Sequence, residues 1–261
     1  MTTYEKALAY WNNQSLQAPS DIDMALDNFR ILFAYHSGKI ENPEITYHDT
    51  REIFENGEVK GYSGNPRALF ETQNQKLCYE FLKSRIVSCE PLSIPLILEV
   101  HRILTSGTFD ETRFIEKGER PGEFKKHDYV TGRHEVGAYP EDVEEQLAEL
   151  LNEVNDYNGD KILHVAAYFH ARFEYIHPFA DGNGRVGRTL LNYYLMIHRH
   201  PPLIIYDEDK GDYYHALEQY DATEDLSGFV AFLRQQTTKT WERVTEREKS
   251  KEPRKNLDEL I

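Results

Sequence analysis

Apolar residues recur at intervals of three and four along most of this 261-residue chain, and this spacing limits the fold more than any other feature of the sequence. Such a period corresponds to one face of an α-helix, whereas the alternation with a period of two that is typical of strands is scarce. We find no internal repeat and no low-complexity tract. The sequence therefore predicts an all-α fold.

Capping residues and prolines predict where several helices begin and end. Ser20 is expected to cap a helix that stops by residue 42, because Pro43 excludes the residue before it from helical geometry. Asn65 and Pro66 are typical of an N-cap and a first helical residue. Asp160 is expected to cap an unusually apolar helix, which would lie at the centre of the core.

The helical period is lost between residues 118 and 139, where glycines surround Tyr129 and Val130. This pattern predicts an exposed flap that contains a short β-hairpin. Pro140 then restarts a helix. We divide the chain into an N-terminal helical region over 1–88, a core over 89–210 and C-terminal helices over 211–261.

The composition narrows the classes of function. The chain has 30 basic and 45 acidic residues, so its formal net charge of −15 disfavours generic binding to DNA. Its two cysteines, Cys78 and Cys89, form neither a disulfide framework nor a zinc motif. We find no apolar run long enough for a membrane span, so we expect a cytoplasmic protein without membrane contacts.

The segment from His177 to Arg188, with the sequence His-Pro-Phe-Ala-Asp-Gly-Asn-Gly-Arg-Val-Gly-Arg, concentrates groups that suit a phosphate ligand. Its glycines allow positive φ angles and N–H groups that converge on an anion, and a helix is predicted to begin near Arg185. Arg185 and Arg188 share one side of that helix, where a bound polyanion would favour them. Asp181 suits Mg²⁺ beside a polyphosphate, and His177 suits a general base.

This segment resembles the signature of the Fic family, His-Pro-Phe-x-Asp-Gly-Asn-Gly-Arg-x-x-Arg, at all nine specified positions. The resemblance implies a helical fold with a β-hairpin flap and the transfer of AMP from ATP to a Ser, Thr or Tyr hydroxyl of a target protein. His177 would be the general base, and Asp181 would hold Mg²⁺, with Mn²⁺ as an alternative. The implied nucleotide-binding residues are Gly182, Asn183, Gly184, Arg185, Gly187 and Arg188.

Two further segments fit the resemblance. Residues 125–136 occupy the flap position, which in this family aligns the target chain beside the catalytic loop. Tyr213 and Tyr214 resemble the Tyr-Tyr pair that lines the adenine pocket in many relatives, although aromatic residues on a helix are more often core residues.

The sequence from Ser37 to Asn42 matches the inhibitory pattern Ser/Thr-x-x-x-Glu-Gly/Asn of one Fic class. Its spacing places Ser37 and Glu41 on one helical face. By resemblance, Glu41 would pair with Arg188 inside the pocket and leave ATP in a non-productive pose. In some relatives the same glutamate helps to remove AMP, so the sequence leaves the reverse reaction open.

Other functions remain as alternatives. A phosphotransferase of the Doc type is disfavoured because Gly184 and Arg185 are intact, and a non-catalytic nucleotide-sensing adaptor needs neither His177 nor Asp181. A DNA-binding regulator is disfavoured because we find no appended module after Ser227. The target protein, the trigger and the oligomeric state cannot be read from the sequence, which leaves a homodimer and self-modification open.

Overall fold

The computed structural model describes residues 1–129 and 137–249, and this part of the chain is all-α. It contains the helices α1 Thr3–Asn12, α2 Pro19–Ala25, α3 Asp27–Glu41, α4 Tyr47–Asn56, α5 Pro66–Val87, α6 Ile94–Thr105, α7 Val143–Asn155, α8 Ile162–Ile176, α9 Asn183–Ile197, α10 Lys210–Thr223 and α11 Ser227–Lys249. Short 3₁₀ turns precede α7 and α10, and a π-helical turn covers Thr112–Glu116.

The core is centred on α8 and α9, which pack against each other. Along α9, almost every side chain from Asn183 to Ile197 is buried, including two arginines. The apolar character of α8 predicted this central position, and Phe169 and Phe173 are completely buried there. The prediction that Asp160 caps α8 is wrong, because the helix begins at Ile162 with Lys161 as its N-cap.

The predicted helix over 20–42 is two helices. The chain breaks at Leu26 (φ −113°, ψ 19°), and Leu26 is 1 % exposed in the main core. Ser20 is not the N-cap either, because α2 begins at Pro19 and the Asp21 carboxylate accepts the N–H groups before it. The predicted end is confirmed, since α3 stops at Glu41 and Asn42 is extended.

Helix α5 begins as predicted, with the Asn65 side chain accepting the N–H of Arg67 at 2.9 Å and Pro66 in the first turn. Helix α5 packs against α6 and α3, and its buried residues include Cys78 and Leu82.

The flap segment is described over residues 118–129 and 137–139, and these parts contain no strand. Val130 and the rest of the predicted hairpin, residues 130–136, lie outside the described residues. The described parts of the flap therefore do not support the β-hairpin that the sequence predicts.

Helix α11 packs against the core through an aromatic contact with α1. Trp241 is 3 % exposed and packs edge-on against Trp11 of α1, so this part of α11 belongs to the core. Residues 250–261 lie outside the described residues. Within the described residues, no helix combines the length and the apolar character that crossing a membrane requires.

Candidate functional site

A tight loop joins α8 to α9 and carries the motif. His177 ends α8 in the left-handed conformation (φ 50°), since Pro178 stops the helix. Gly182 (φ 82°) is the N-cap of α9, and a Cβ atom there would lie 2.6 Å from the Thr105 side chain. Helix α9 begins at Asn183, two residues before the predicted Arg185, so its first unpaired N–H groups belong to Asn183, Gly184 and Arg185.

The Asn183 side chain braces this loop from inside. Its Oδ1 accepts the Phe179 N–H at 2.9 Å, and its Nδ2 donates to the Phe179 carbonyl at 2.7 Å. Both ends of the amide are therefore used within the protein. If Asn183 binds the nucleotide as predicted, it can do so through its main-chain N–H, because its side chain is already bonded to Phe179.

His101 on α6 supports the loop through contacts with Phe179 and Asp181. The sequence pattern around His101 does not indicate this role. Its ring stacks on Phe179 at 3.7 Å, and its Nδ1 accepts the Gly122 N–H at 2.9 Å. This leaves Nε2 to donate to the Asp181 carbonyl at 3.1 Å. Burial lowers the pKa of His101 to about 3, so the ring is neutral and keeps one tautomer.

His177 is a neutral imidazole at physiological pH. Burial lowers its pKa to about 4, and the positive charge of Lys125 adds to this effect. Lys125 is held nearby because its N–H donates to the Pro178 carbonyl at 2.9 Å. A neutral imidazole is the protonation state that a general base requires.

Arg188 is 2 % exposed and bound to the end of α3 by three hydrogen bonds. Its Nε donates to Ser37 Oγ at 3.0 Å, and its Nη2 donates to the Ser37 carbonyl at 2.9 Å and to Glu41 Oε1 at 2.8 Å. Burial opposes the charge of Arg188, but the Glu41 carboxylate together with Tyr213 and Tyr214 raises the pKa of Arg188 above its ordinary value. The structure thus brings together the three residues that the inhibitory pattern predicted.

Arg185 and Asp181 are also paired within the protein. Arg185 Nη1 lies 3.2 Å from Glu71 Oε1, and both side chains are buried. Arg67 Nη2 donates to Asp181 Oδ2 at 2.7 Å, and its Nε donates to Glu71 Oε1 at 2.9 Å. Arg67 and Glu71 were not predicted, because an Arg and a Glu four residues apart are typical of any exposed helix face.

Gly187 and Tyr213 serve packing rather than the cavity. A Cβ atom on Gly187 would lie 2.5 Å from Glu174 Oε1, so this glycine allows α8 and α9 to approach. Tyr213 is 1 % exposed, and its hydroxyl lies 2.7 Å from His170 Nε2 in the core. Tyr214, whose ring centre lies 5.0 Å from that of Tyr213, is 42 % exposed and can contact a ligand.

The loop faces a cavity of about 500 Å³. His177, Asp181, Glu41 and the residues from Gly182 to Arg185 line it, together with Arg67, Glu71 and Arg113. The cavity therefore combines a neutral base, a carboxylate and the N-terminus of a helix. This combination can bind a polyphosphate and receive a proton from a hydroxyl group.

Asp181 fits a divalent cation such as Mg²⁺. Its carboxylate is partly exposed to the cavity and stands beside the helix N-terminus, where phosphate oxygens would complete the oxygen ligands. A second group, His36, Asp207 and Glu208, also brings possible ligand atoms together. That group does not line the cavity that the motif loop faces, whereas Asp181 does.

Comparison with known proteins agrees with this geometry. The model of the Fic/DOC family matches residues 91–195. The chain is 32% identical to the protein adenylyltransferase Fic of Drosophila persimilis over 209 residues, which cover 79% of this chain and 39% of that protein. It is 32% identical to the protein of the same name from Nematostella vectensis over 217 residues, 79% of this chain and 46% of that protein. The chain thus spans less than half the length of these relatives.

Solved structures show the same fold. A Fic domain containing signaling protein from Bacteroides thetaiotaomicron superimposes with a TM-score of 0.80 at 24% identity, over 98% of this chain and 100% of that chain. Fic-1 from C. elegans superimposes with a TM-score of 0.77 at 26% identity, over 95% of this chain and 71% of that chain. The match shows that residues 91–195 form a Fic/DOC domain, and the superpositions extend the similarity of fold over most of the chain.

Proposed function

We propose that this chain transfers AMP from ATP to a Ser, Thr or Tyr hydroxyl of a target protein, which can be a second copy of itself. The observation that carries the proposal is a neutral imidazole, His177, in one cavity with Asp181 and the first N–H groups of α9. The curated relatives named protein adenylyltransferase support the same reaction.

In this reaction His177 accepts the proton of the attacking hydroxyl. The N–H groups of Asn183 and Gly184, at the positive end of the α9 dipole, bind the phosphate oxygens on which negative charge grows. Asp181 would hold Mg²⁺, which when bound withdraws charge from those oxygens. Arg185 and Arg188 add positive charge for the departing pyrophosphate.

We propose that Glu41 and Ser37 inhibit this reaction by withholding Arg188 from the nucleotide. Because the Arg188 guanidinium is buried, water screens its bond to the Glu41 carboxylate only weakly, so a phosphate competes poorly for Arg188. Removing the Glu41 carboxylate should free Arg188 and activate the enzyme.

Parallel reactions with ATP labelled on the α-phosphate or on the γ-phosphate test the function in the Glu41→Gly variant. Label on protein from the α-phosphate alone supports AMP transfer. Label from the γ-phosphate would instead indicate a phosphotransferase, and no label from either would indicate an adaptor that only binds nucleotide. Glu41→Gly combined with His177→Ala is the matched inactive control.

Removal of AMP is a second candidate function, because Glu41 lines the same cavity as His177 and its side chain is 36 % exposed there. From that position the carboxylate can orient a water molecule. The test adds wild-type protein and Mg²⁺ to AMP-modified protein and measures released AMP. Equal release by wild type and by Glu41→Gly would refute this candidate.

We also propose that the target chain docks on the segment over 118–139, in the cytoplasm. Both described parts of this segment bond to the junction of α8 and the loop, since the Lys125 main-chain N–H donates to the Pro178 carbonyl and the Ala138 N–H donates to the Ile176 carbonyl at 3.0 Å. Modification of one copy by another is tested in a mixture of two proteins. One is untagged Glu41→Gly, and the other is a tagged, inactive double variant, Glu41→Gly with His177→Ala. Label on the tagged chain shows that one copy can modify another, whereas an unlabelled tagged chain beside labelled Glu41→Gly contradicts it.

A further inference from the structure

We propose that Arg67 is a positioning residue that neutralises Asp181 in the unloaded protein and that a divalent cation must displace it. This inference rests on the proposed function, because that function assigns the metal to Asp181. The observation behind it is that Arg67 Nη2 donates to Asp181 Oδ2 at 2.7 Å. The other carboxylate oxygen, Oδ1, accepts the Gly182 N–H within the loop.

Glu71 fixes Arg67 in this position. Its carboxylate is 3 % exposed and accepts from Arg67 Nε at 2.9 Å, while Arg185 Nη1 lies 3.2 Å from the same oxygen. The other oxygen accepts from Asn42 Nδ2 at 3.2 Å. Because Glu71 anchors the guanidinium through Nε, the Nη2 atom remains directed at Asp181.

The charges of this group balance only while Arg67 is present. Two carboxylates, Glu71 and Asp181, face two guanidinium groups, Arg67 and Arg185. Without Arg67 the group would carry a net negative charge beside the cavity. Such a site attracts a divalent cation more strongly, since the cation no longer competes with a bound positive charge.

The contact between Arg67 and Asp181 is accessible enough to exchange. The Arg67 side chain is 35% exposed and the Asp181 side chain 19%, and both line the cavity. When a cation takes Asp181, Arg67 keeps its bond to Glu71 and stays at the cavity wall.

The chain offers a closely matched control. Arg51 and Glu55 on α4 are also four residues apart and also pair through Nε and Oε1, at 2.8 Å. That pair is exposed, and Arg51 does not line the cavity. Replacing Arg51 by Gln therefore changes the net charge and breaks an Arg–Glu helix pair without touching Asp181.

The experiment titrates the full chain with Mn²⁺ alone and follows free Mn²⁺ by electron paramagnetic resonance. Arg67→Gln should bind Mn²⁺ about tenfold more tightly than wild type, as expected for loss of one competing charge-assisted pair. Arg51→Gln should match wild type. Adding Asp181→Asn to Arg67→Gln should abolish the gain, which locates the cation at Asp181.

Arg67→Lys keeps the charge and should return the Mn²⁺ affinity most of the way to wild type. The proposal would be overturned if Arg67→Gln bound Mn²⁺ no more tightly than wild type. It would also be overturned if neither wild type nor Arg67→Gln bound Mn²⁺ in a way that depends on Asp181. In the Glu41→Gly background, Arg67→Gln should also lower the KM for Mg²⁺ without raising kcat.

The Mn²⁺ titration separates this inference from the proposed function. Protein labelled with AMP but with unchanged Mn²⁺ affinity in Arg67→Gln would refute the role of Arg67 alone. A gain in Mn²⁺ affinity without any AMP transfer would refute the proposed function alone.

Discussion

Glu41 and Arg188 lie 147 positions apart in the chain, and their side chains meet at 2.8 Å between Oε1 and Nη2. The contact joins the last residue of α3 to the second turn of α9. It makes the buried Arg188 guanidinium part of the protein's own ion pair rather than a free ligand for phosphate. The proposed inhibition depends on this contact, and Ser37 supports it from one helical turn earlier.

Ser37→Ala should activate the protein only in part. The substitution removes the bond from Arg188 Nε to Ser37 Oγ but keeps the bonds of Nη2 to the Ser37 carbonyl and to Glu41. A single side-chain hydrogen bond contributes about 1 kcal/mol, so we expect AMP labelling about fivefold above wild type and below Glu41→Gly. Labelling equal to that of Glu41→Gly would show that Glu41 is not the main restraint.

The pH dependence of Glu41→Gly should show no titration of His177 near neutrality. Because burial lowers the pKa of His177 to about 4, the imidazole stays neutral down to well below its ordinary value of 6.5. Initial rates of AMP labelling should therefore be flat from about pH 6 to 8 with respect to this group, and should fall only as the pH approaches 4. An acid limb centred near 6.5 would contradict the environment described for His177.

The bend from His177 to Gly182 could be predicted from the sequence because it depends on residues that are neighbours in the chain. Pro178 and the glycines determine the bend, and the bend determines which N–H groups face the ligand. The break of the predicted helix at Leu26 has no local signal, since Leu26 adopts its conformation in order to pack in the core. The same holds for Glu71, whose importance comes from contacts with residues far away in the chain.

Asn183→Ala should destabilise the protein and lower kcat. The substitution leaves the buried Phe179 N–H without an acceptor and its carbonyl without a donor. A lost buried partner costs about 1 to 3 kcal/mol, which urea unfolding can measure. Asn183→Asp keeps the acceptor and should recover part of the stability, and a variant as stable as wild type would contradict the bracing role.

Glu174 should make the protein less stable as the pH rises toward neutrality. Burial raises its pKa from 4.5 to about 7, although the positive charge of Arg188 opposes the shift. Between these two pH values the folded protein holds a proton that the unfolded chain has released. The free energy of unfolding should therefore fall as the pH rises through this window, by about 3 kcal/mol.

Glu174→Gln tests this pH dependence, because glutamine has a similar shape and does not titrate. Urea unfolding at several pH values between about 4.5 and 7 should give a smaller decrease of stability for Glu174→Gln than for wild type. The same slope in both proteins would show that Glu174 is not the titrating group.

In the proposed reaction, a neutral His177 acts on a nucleotide that Glu41 normally keeps out of the reactive position. Intact mass spectrometry of Glu41→Gly after incubation with ATP and Mg²⁺ measures this most directly. We predict a mass increase of one AMP group per modified site in Glu41→Gly, little in wild type and none when His177→Ala is added. Equal modification of wild type and Glu41→Gly would contradict the inhibitory role of Glu41, and modification that survives His177→Ala would contradict the role of His177 as the base.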